Sequence, residues 1–395
     1  MNLKIFTRNI EEKAAEQISR LVSQPAFSDC KIRIMPDVHA GAGCVIGFTA
    51  DLGDKVIPNV VGVDIGCGMI TCELGKVDID FNKLDSVIRE NIPSGLNVHE
   101  NAPEKFTLFM ELNCYSHLKN MSWLENSMRT LGGGNHFIEI DKDDEDNKYL
   151  IVHTGSRNLG KQVADYYQFL AIDRINGNKA ELEQKVKDLI ADLKEQHRET
   201  EISGAIKSLR DNFYRPEKMP NELCYLTGKD REDYLHDMHL CQIFAHQNRY
   251  HIAAEICMKM GWELNYFETI HNYIDMETNI IRKGAISAKL GERVLIPINM
   301  RDGCIIGIGK GNEDWNCSAP HGAGRVMSRI EAKKIVSMDD YKQSMNGIYT
   351  TSVSEDTLDE CPMAYKPMEE ILKNIKPTVS VEKIIKPTYN FKAGE

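Results

Sequence analysis

The chain has 395 residues, 42% of them hydrophobic, and a formal net charge of −11. It is long enough to bury a large core, and its acidic balance argues against a protein that coats nucleic acid non-specifically. No apolar run reaches the roughly 18–20 residues of a membrane span, and the N-terminus lacks a signal peptide's apolar stretch. The composition therefore predicts a cytoplasmic protein with no membrane partner.

Short strands dominate the first part of the chain. Apolar residues at helical spacing predict a helix over Ile10–Leu21, after a short N-terminal strand. Pro36–Gly43 is predicted as a loop, because it is rich in glycine and begins with proline. Alternating or β-branched segments predict four further strands: Cys30–Met35, Val45–Ala50, Val56–Gly62 and Gly68–Leu74.

The middle of the chain is predicted to be richer in helix. Residues 80–131 and 161–200 are interpreted as mostly helical, and Tyr234–Met260 as one long amphipathic helix. A glycine turn leads into a strand within Leu131–Ile140, and Tyr149–His153 is a second strand. The remaining segments are two predicted loops: the acidic run Asp141–Asp146, expected to be solvated, and Phe213–Leu226, where Pro216 and Pro220 break the helix.

The last third returns to strands, at Leu264–Asn272, Arg293–Ile298 and Asp302–Lys310, followed by a helix from Gly324 to about Ile335. The sequence contains no repeat, low-complexity tract or flexible linker. These elements predict an α+β fold with an antiparallel or mixed β core. We interpret residues 1–395 as one domain with a helical insertion at about 161–260.

Five residues that could bind a metal lie at strand ends or in turns, most of them beside glycine, asparagine or threonine. They form a mixed oxygen, sulfur and nitrogen donor set, and a thiolate among them could bridge two divalent ions. Each residue alone could instead be an ordinary loop or core residue, because the five are scattered over half the chain. The candidates are Asp64, Cys67, His136, His153 and His271.

The segment His321–Gly324 is a candidate for phosphate chemistry. A Walker A motif is absent, and no glycine-rich dinucleotide motif convincingly precedes a helix. Glycine N–H groups and the following helix could hold phosphate oxygens, His321 could attack phosphorus, and Arg325 could stabilise the developing charge. Taken alone, the same segment could be a tight structural turn.

Taken together, these segments resemble the RtcB family of tRNA-splicing RNA ligases. The resemblance runs from about residue 31 to the C-terminus and depends on several distinctive motifs in the family's order. The motifs are Met35–His39, Gly62–Gly68, Gly132–Phe137, His153–Arg157, His271–Asn272, His321–Arg325 and Ala364–Lys366.

The resemblance implies a single RtcB-like domain with a β-sandwich-like core, and a GTP- and Mn²⁺-dependent ligase. It would join RNA 3′-phosphate or 2′,3′-cyclic phosphate ends to 5′-hydroxyl ends, in tRNA splicing or RNA repair. His321 would take GMP from GTP, and the five candidate ligands would hold two Mn²⁺ ions with Cys67 between them. An archease-type activator is a further partner that the resemblance allows.

The resemblance also implies a guanylate pocket, which Lys392 would reach only if the C-terminal tail folds back. The pocket residues would be Asn135, His136, Phe137, Glu139, His271, Asn272, Pro297, Asn299, Met300, Cys304, His321, Gly322, Ala323, Gly324, Tyr365 and Lys392.

The segment Pro297–Cys304 departs from the family pattern. Cys304 occupies a position where a serine is expected, and Arg301 and Asp302 bring charge to a wall that is small and neutral in the family. The sequence is interpreted as a divergent branch. Two alternatives stay open: an enzyme that guanylylates 3′ ends or opens cyclic phosphates without sealing, and an inactive metal- or RNA-binding homologue.

Overall fold

The computed structural model describes residues 2–177, 179–196, 198–213 and 219–393. Within these ranges the chain forms fifteen β-strands: β1 (Asn2–Ile5), β2 (Lys31–His39), β3 (Ile46–Asp51), β4 (Gly68–Gly75), β5 (Phe137–Lys142), β6 (Lys148–Thr154), β7 (Tyr266–Ile270), β8 (Tyr273–Ile274), β9 (Ile280–Lys283), β10 (Ala285–Ser287), β11 (Arg293–Asn299), β12 (Gly303–Gly309), β13 (Ser318–Pro320), β14 (Tyr349–Thr350) and β15 (Val379–Lys392).

The same ranges contain eleven α-helices: α1 (Glu12–Val22), α2 (Pro58–Val61), α3 (Phe81–Asn91), α4 (Met121–Asn126), α5 (Arg157–Ile175), α6 (Lys179–Glu195), α7 (Ile202–Asn212), α8 (Gly228–Met260), α9 (Arg329–Ile335), α10 (Met338–Ser344) and α11 (Met368–Ile375). None of the described helices has the length and apolar character needed to cross a membrane.

Two large sheets form the β core, which confirms the predicted α+β fold with a mixed core. The larger has the order β11–β12–β15–β5–β6–β4–β7, all antiparallel, and β14 adds a parallel pair with β15. The smaller has the order β1–β2–β3–β9–β8, with β1 and β2 parallel, and β10 pairs with β13 separately.

The larger sheet curls until its two ends meet. The Leu295 N–H in β11 donates to Thr269 Oγ1 in β7 at 3.1 Å, and side chains from most of the strands meet inside in one apolar cluster that includes Met69, Ile306 and Ile385. Helix α8 covers the outside of the curl, where Ile252 packs in a second cluster with strand residues. Within this sheet β4 pairs with both β6 and β7, so the ends of these three strands lie beside one another.

Helices α5 to α8 occupy the region where the sequence predicts a helical insertion, and the single domain over residues 1–395 stays a prediction. Helix α8 begins at Gly228, earlier than predicted, and ends at Met260. The capping residue Gly261 has a φ of 78°, the left-handed conformation that favours glycine. Within the loop predicted over Phe213–Leu226, residues 214–218, Pro216 included, lie outside the described ranges.

Several predicted elements are wrong. The predicted strand Val56–Gly62 contains helix α2, because Pro58 occupies its first turn, where a missing N–H costs nothing. The predicted loop Pro36–Gly43 is strand as far as His39. Residues 80–131 contain only α3 and α4 as α-helices, and the final helix begins at Arg329, where Ser328 forms a capping box, rather than at Gly324.

The acidic run Asp141–Asp146 is only in part the solvated loop that its charge predicts: Asp144, Glu145 and Asp146 are exposed, whereas Asp141 and Asp143 are buried. Asp141 lies in β5 and is 0% exposed, and Asp143 is 7% exposed. The Lys383 ammonium and the Tyr149 hydroxyl each donate to Asp143 Oδ2 at 3.0 Å, so this carboxylate is paired, whereas Asp141 faces the interior of the curled sheet.

Candidate active site and metal centre

Strand register brings the five candidate metal ligands together. Gly68 at the start of β4 lies opposite Thr154 at the end of β6 and Ile270 at the end of β7. Cys67, His153 and His271 are therefore neighbours, although the chain separates them widely. His136 immediately precedes β5, the strand next to β6.

The five side chains form two triads that share Cys67. In one triad the donor atoms of Asp64, Cys67 and His136 lie within 4.8 Å of one another, and in the other those of Cys67, His153 and His271 do. Cys67 Sγ lies 3.6 Å from His136 Nε2 and 3.3 Å from His153 Nε2. A thiol in this place can serve both halves of a dinuclear centre.

The backbone fixes which nitrogen of each ring faces the centre. His136 Nδ1 donates to the Leu131 carbonyl at 2.9 Å, and His153 Nδ1 donates to the Asn135 carbonyl at 3.1 Å. Each Nε2 is then left with a lone pair, as metal ligation requires. His136 Nε2 also lies 3.0 Å from Asp64 Oδ2. Because Nδ1 carries the proton, both of these atoms are acceptors, and a cation that binds both would remove their repulsion.

Hydrogen bonds from a backbone N–H and from a side-chain amide hold the Asp64 end of the centre. Asp64 Oδ1 accepts from the Ser156 N–H at 3.0 Å, and a Cβ at Gly155 would overlap the same carboxylate, so glycine is needed at that position. The Asn272 amide donates to the Asp64 carbonyl at 3.3 Å. These contacts place the Asp64 carboxylate without occupying the oxygen that faces His136.

Burial shifts the pKa of several candidate ligands toward their uncharged forms. It lowers the pKa of His153 and His271 well below the usual range and raises that of Cys67 well above it. For Asp64, burial alone would raise the pKa, but its contact with His136 and the charge of Arg157 lower it. An anionic oxygen beside neutral imidazoles and a thiol fits a divalent metal pair, because bound cations favour the thiolate.

His321 stands beside this centre, with its ring centroid 4.8 Å from that of His271. Its Nδ1 lies 2.7 Å from Asp37 Oδ2, and the His321 N–H donates to the same oxygen at 3.2 Å. Asp37 is fully buried, and a Cβ at Gly324 would overlap its carbonyl. With Nδ1 donating to Asp37, His321 keeps its Nε2 lone pair for another partner.

His321 opens on a cavity of about 440 Å³, within the size range of small-molecule sites. The tail folds back as β15, so Lys392 reaches the cavity. From the predicted guanylate pocket, the residues that line it are Asn135, Phe137, Glu139, His271, Pro297, Asn299, Met300, His321, Gly322, Ala323, Gly324, Tyr365 and Lys392.

Three predicted pocket residues lie outside that lining: His136, Asn272 and Cys304. Cys304 is buried behind the wall, 4.0 Å from Glu139 Oε1. The charges of Arg301 and Asp302 pair with each other in the turn between β11 and β12 at 2.8 Å, and neither residue is part of the lining. The divergent turn therefore leaves the wall of the cavity uncharged on this side.

Cationic side chains gather at another wall of the cavity. Lys392, Arg325 and Arg329 lie 2.9, 3.4 and 2.7 Å from the buried Glu360 carboxylate. Arg325 is thus held by an ion pair and does not point freely at His321. His39 also lines the cavity, and burial lowers its pKa to about 4.

Sequence analysis missed Asn248 and Arg249, which hold the metal loops from behind, and Asp37, which holds His321. On α8, Asn248 donates to the Gly155 carbonyl at 3.2 Å, and Arg249 donates to the carbonyls of Gly66 and Thr154 at 2.7 and 2.8 Å. The sequence gives no local signal for Asn248 and Arg249, because His246 and Gln247 precede them and the whole stretch is polar.

We expect Arg249→Met to lower the free energy of unfolding by about 3 kcal/mol, because it leaves two buried carbonyls without their donor and Glu268 with His246 alone. Burial alone would raise the pKa of Glu268, but Arg249 and His246 lower it to about 2, so the carboxylate stays charged. Chemical denaturation at fixed metal concentration would measure the loss. Lys259→Met, at an exposed site on α8, is the control and should change little; a loss below 1 kcal/mol for Arg249→Met would contradict the expectation.

Known proteins resemble this chain in sequence over most of its length. A sequence model of the family described as tRNA-splicing ligase RtcB matches residues 17–120 and 113–393. The RNA-splicing ligases RtcB1 and RtcB of Escherichia coli, the latter from strain K12, are each 29% identical, over 94% of this chain and 92% of the relative. The tRNA-splicing ligase RtcB of Nanoarchaeum equitans is 26% identical, over 89% of this chain and 85% of that protein. The chain belongs to the RtcB family.

Proposed function

We propose that this chain is an RNA ligase that uses GTP and two Mn²⁺ ions to join RNA 3′-phosphate or 2′,3′-cyclic phosphate ends to 5′-hydroxyl ends. The observation that carries the proposal is the position of His321, whose ring lies 4.8 Å from His271 of the candidate metal centre and opens on a cavity of nucleotide size. The names of the relatives support RNA as the substrate.

In the first step, His321 Nε2 attacks the α-phosphorus of GTP, so that an N–P bond forms and the bond to pyrophosphate breaks. Asp37 accepts a hydrogen bond from His321 Nδ1 at 2.7 Å, which orients the ring and stabilises the positive charge that the ring gains. Bound Mn²⁺ would supply positive charge to the transferring phosphoryl group.

In the later steps, an oxygen of the RNA 3′-phosphate displaces His321 from phosphorus and takes the GMP. The 5′-hydroxyl oxygen of the second RNA end then attacks the 3′-phosphate, and GMP leaves; a cyclic phosphate is first opened by water. Arg325, Arg329 and Lys392, held together by Glu360, give the cavity a cationic wall for these anions.

The identity of the metal is part of the proposal. Imidazole, thiolate and carboxylate together suit several divalent transition metals, and Mn²⁺ is assigned from the resemblance to the family. The physiological role is sealing of RNA in tRNA splicing or RNA repair, with an archease-type activator as a candidate partner.

We expect incubation with α-labelled GTP and Mn²⁺ to give a protein–GMP adduct, which chases into sealed RNA when 3′-phosphate and 5′-hydroxyl ends are both supplied. A denaturing gel measures the adduct and the product. Omission of the 5′-hydroxyl RNA is the control and should stop the reaction at the capped 3′ end. Capped ends without sealing, even with both RNAs, would favour the guanylylating alternative, and absence of the adduct would favour an inactive homologue.

A further inference from the structure

A buried acidic pair lies directly behind the cavity wall. Glu139 and Asp141 are two residues apart on β5, so their side chains share one face of the strand. Together with Cys304 of β12, their donor atoms lie within 4.8 Å of one another. Exposed fractions are 2% for Glu139, 0% for Asp141 and 1% for Cys304, yet Glu139 is also part of the cavity lining.

The partners around this pair are too few for two negative charges. The Asn390 amide donates to Glu139 Oε2 at 2.6 Å, whereas neither oxygen of Asp141 has a hydrogen-bond partner within the described ranges. Burial raises the pKa of Glu139, and the positive charge of Lys392 on β15 offsets this only in part. The Lys392 ammonium lies 2.9 Å from the Glu360 carboxylate. An uncompensated buried carboxylate is costly, so the pair should retain a proton.

The titratable groups that pack near the pair favour a protonated Asp141. Burial raises the pKa of Cys304 well above its usual range, so the thiol stays neutral. The hydroxyl of Tyr149, opposite Asp141 on β6, donates to Asp143 rather than to Asp141. Burial, and then the charge of Glu139, raise the pKa of Asp141 well above its usual range.

We propose that Asp141 is a positioning residue that keeps one proton and shares it with Glu139, so that Glu139 faces the cavity as a singly charged acceptor. The ligand class is a nucleobase whose edge donates N–H groups, as guanine does with its amino group. This role of Asp141 rests on the proposed use of GTP, and it goes beyond it by assigning the group that sets the charge of the pocket.

The first test is GTP binding by calorimetry as a function of pH, without RNA. Asp141→Asn keeps a donor and should bind GTP within about threefold of wild type at neutral pH, whereas Asp141→Leu should bind about tenfold more weakly, because Glu139 loses a donor. Wild-type affinity should fall at alkaline pH, where Asp141 loses its proton, and Asp141→Asn should lack that fall. Equal losses in Asn and Leu variants, or matching pH profiles in wild type and Asp141→Asn, would overturn the proposal.

The second test is independent of nucleotide and of folding defects in the leucine variant. Infrared spectra at neutral pH should show the C=O stretch of a protonated carboxyl group in wild type and in Asp143→Asn, the matched control just after the same strand, but not in Asp141→Asn. Absence of the band in wild type overturns the proposal even if the protein carries GMP. One further divalent ion bound by wild type than by Asp141→Asn would also overturn it, since the three side chains would then be metal ligands.

The two tests separate this proposal from the proposed function. If the band is lost only in Asp141→Asn, and neither wild type nor any variant binds GTP, the shared proton stands. The use of GTP then fails, and the nucleotide role of Asp141 fails with it.

Discussion

Replacing His321 with alanine is expected to abolish GMP attachment, lowering its rate by roughly a thousandfold or more, because the proposed nucleophile is removed. Both metal equivalents should remain, since His321 belongs to neither triad of candidate ligands. Radiolabelled adduct on a denaturing gel measures the first effect, and metal analysis of the same sample measures the second.

The matched control for this variant is His251→Ala, which removes a half-buried histidine from α8 and should leave labelling unchanged. Asp37→Asn should slow labelling without changing metal content, because an amide in place of the carboxylate no longer favours the His321 tautomer with a free Nε2. A stable GMP adduct in His321→Ala would show that the nucleophile is another residue.

The candidate site could be predicted largely because its residues stand out locally. Asp64, Cys67 and His136 lie in glycine-rich turns, where neither helix periodicity nor core packing explains a thiol or an imidazole. Which of these turns meet in space was not visible in their spacing. That depends on the strand order β5–β6–β4–β7, which only the resemblance to a family could supply.

Residues that act from behind the site were harder to predict. Arg249 and Asn248 belong to a long helix whose pattern indicates packing, and Asp141 opens an acidic run that indicates solvent. In each case, segments far along the chain determine the environment of the side chain. Arg249 donates to the Gly66 carbonyl, and Asp141 is buried in the interior of the curled sheet. Periodicity and charge describe neighbours in sequence, and these contacts are long-range.

The same limit explains the errors in the fold. Val56–Gly62 is a short apolar run rich in β-branched residues, a pattern shared by buried strands and buried helix turns. Its burial between α5 and β9 stabilises the helical turn. Strand β15 carries many charged side chains, but it pairs on both sides with β12 and β5, and this pairing brings Lys392 to the cavity.

Replacing Cys67 with alanine is expected to weaken both metal sites at once, by more than about a hundredfold each, because Sγ is the one donor atom common to the two triads. Sealing activity should be lost with the metals. Mn²⁺ titration followed by electron paramagnetic resonance counts the bound ions, and the RNA-joining gel measures activity on the same protein.

Single-triad variants make this expectation specific. Asp64→Asn should weaken one ion and His271→Ala the other, because each side chain belongs to one triad only, whereas Cys67→Ala should weaken both. Cys72→Ala is the matched control. Cys72 is a fully buried thiol on β4, the strand that begins just after Cys67, and it belongs to no triad with Asp64 or His271. Two ions bound with wild-type affinity in Cys67→Ala would mean that the two triads do not share a bridging thiolate, and the dinuclear arrangement would have to be built from the histidines and Asp64 alone.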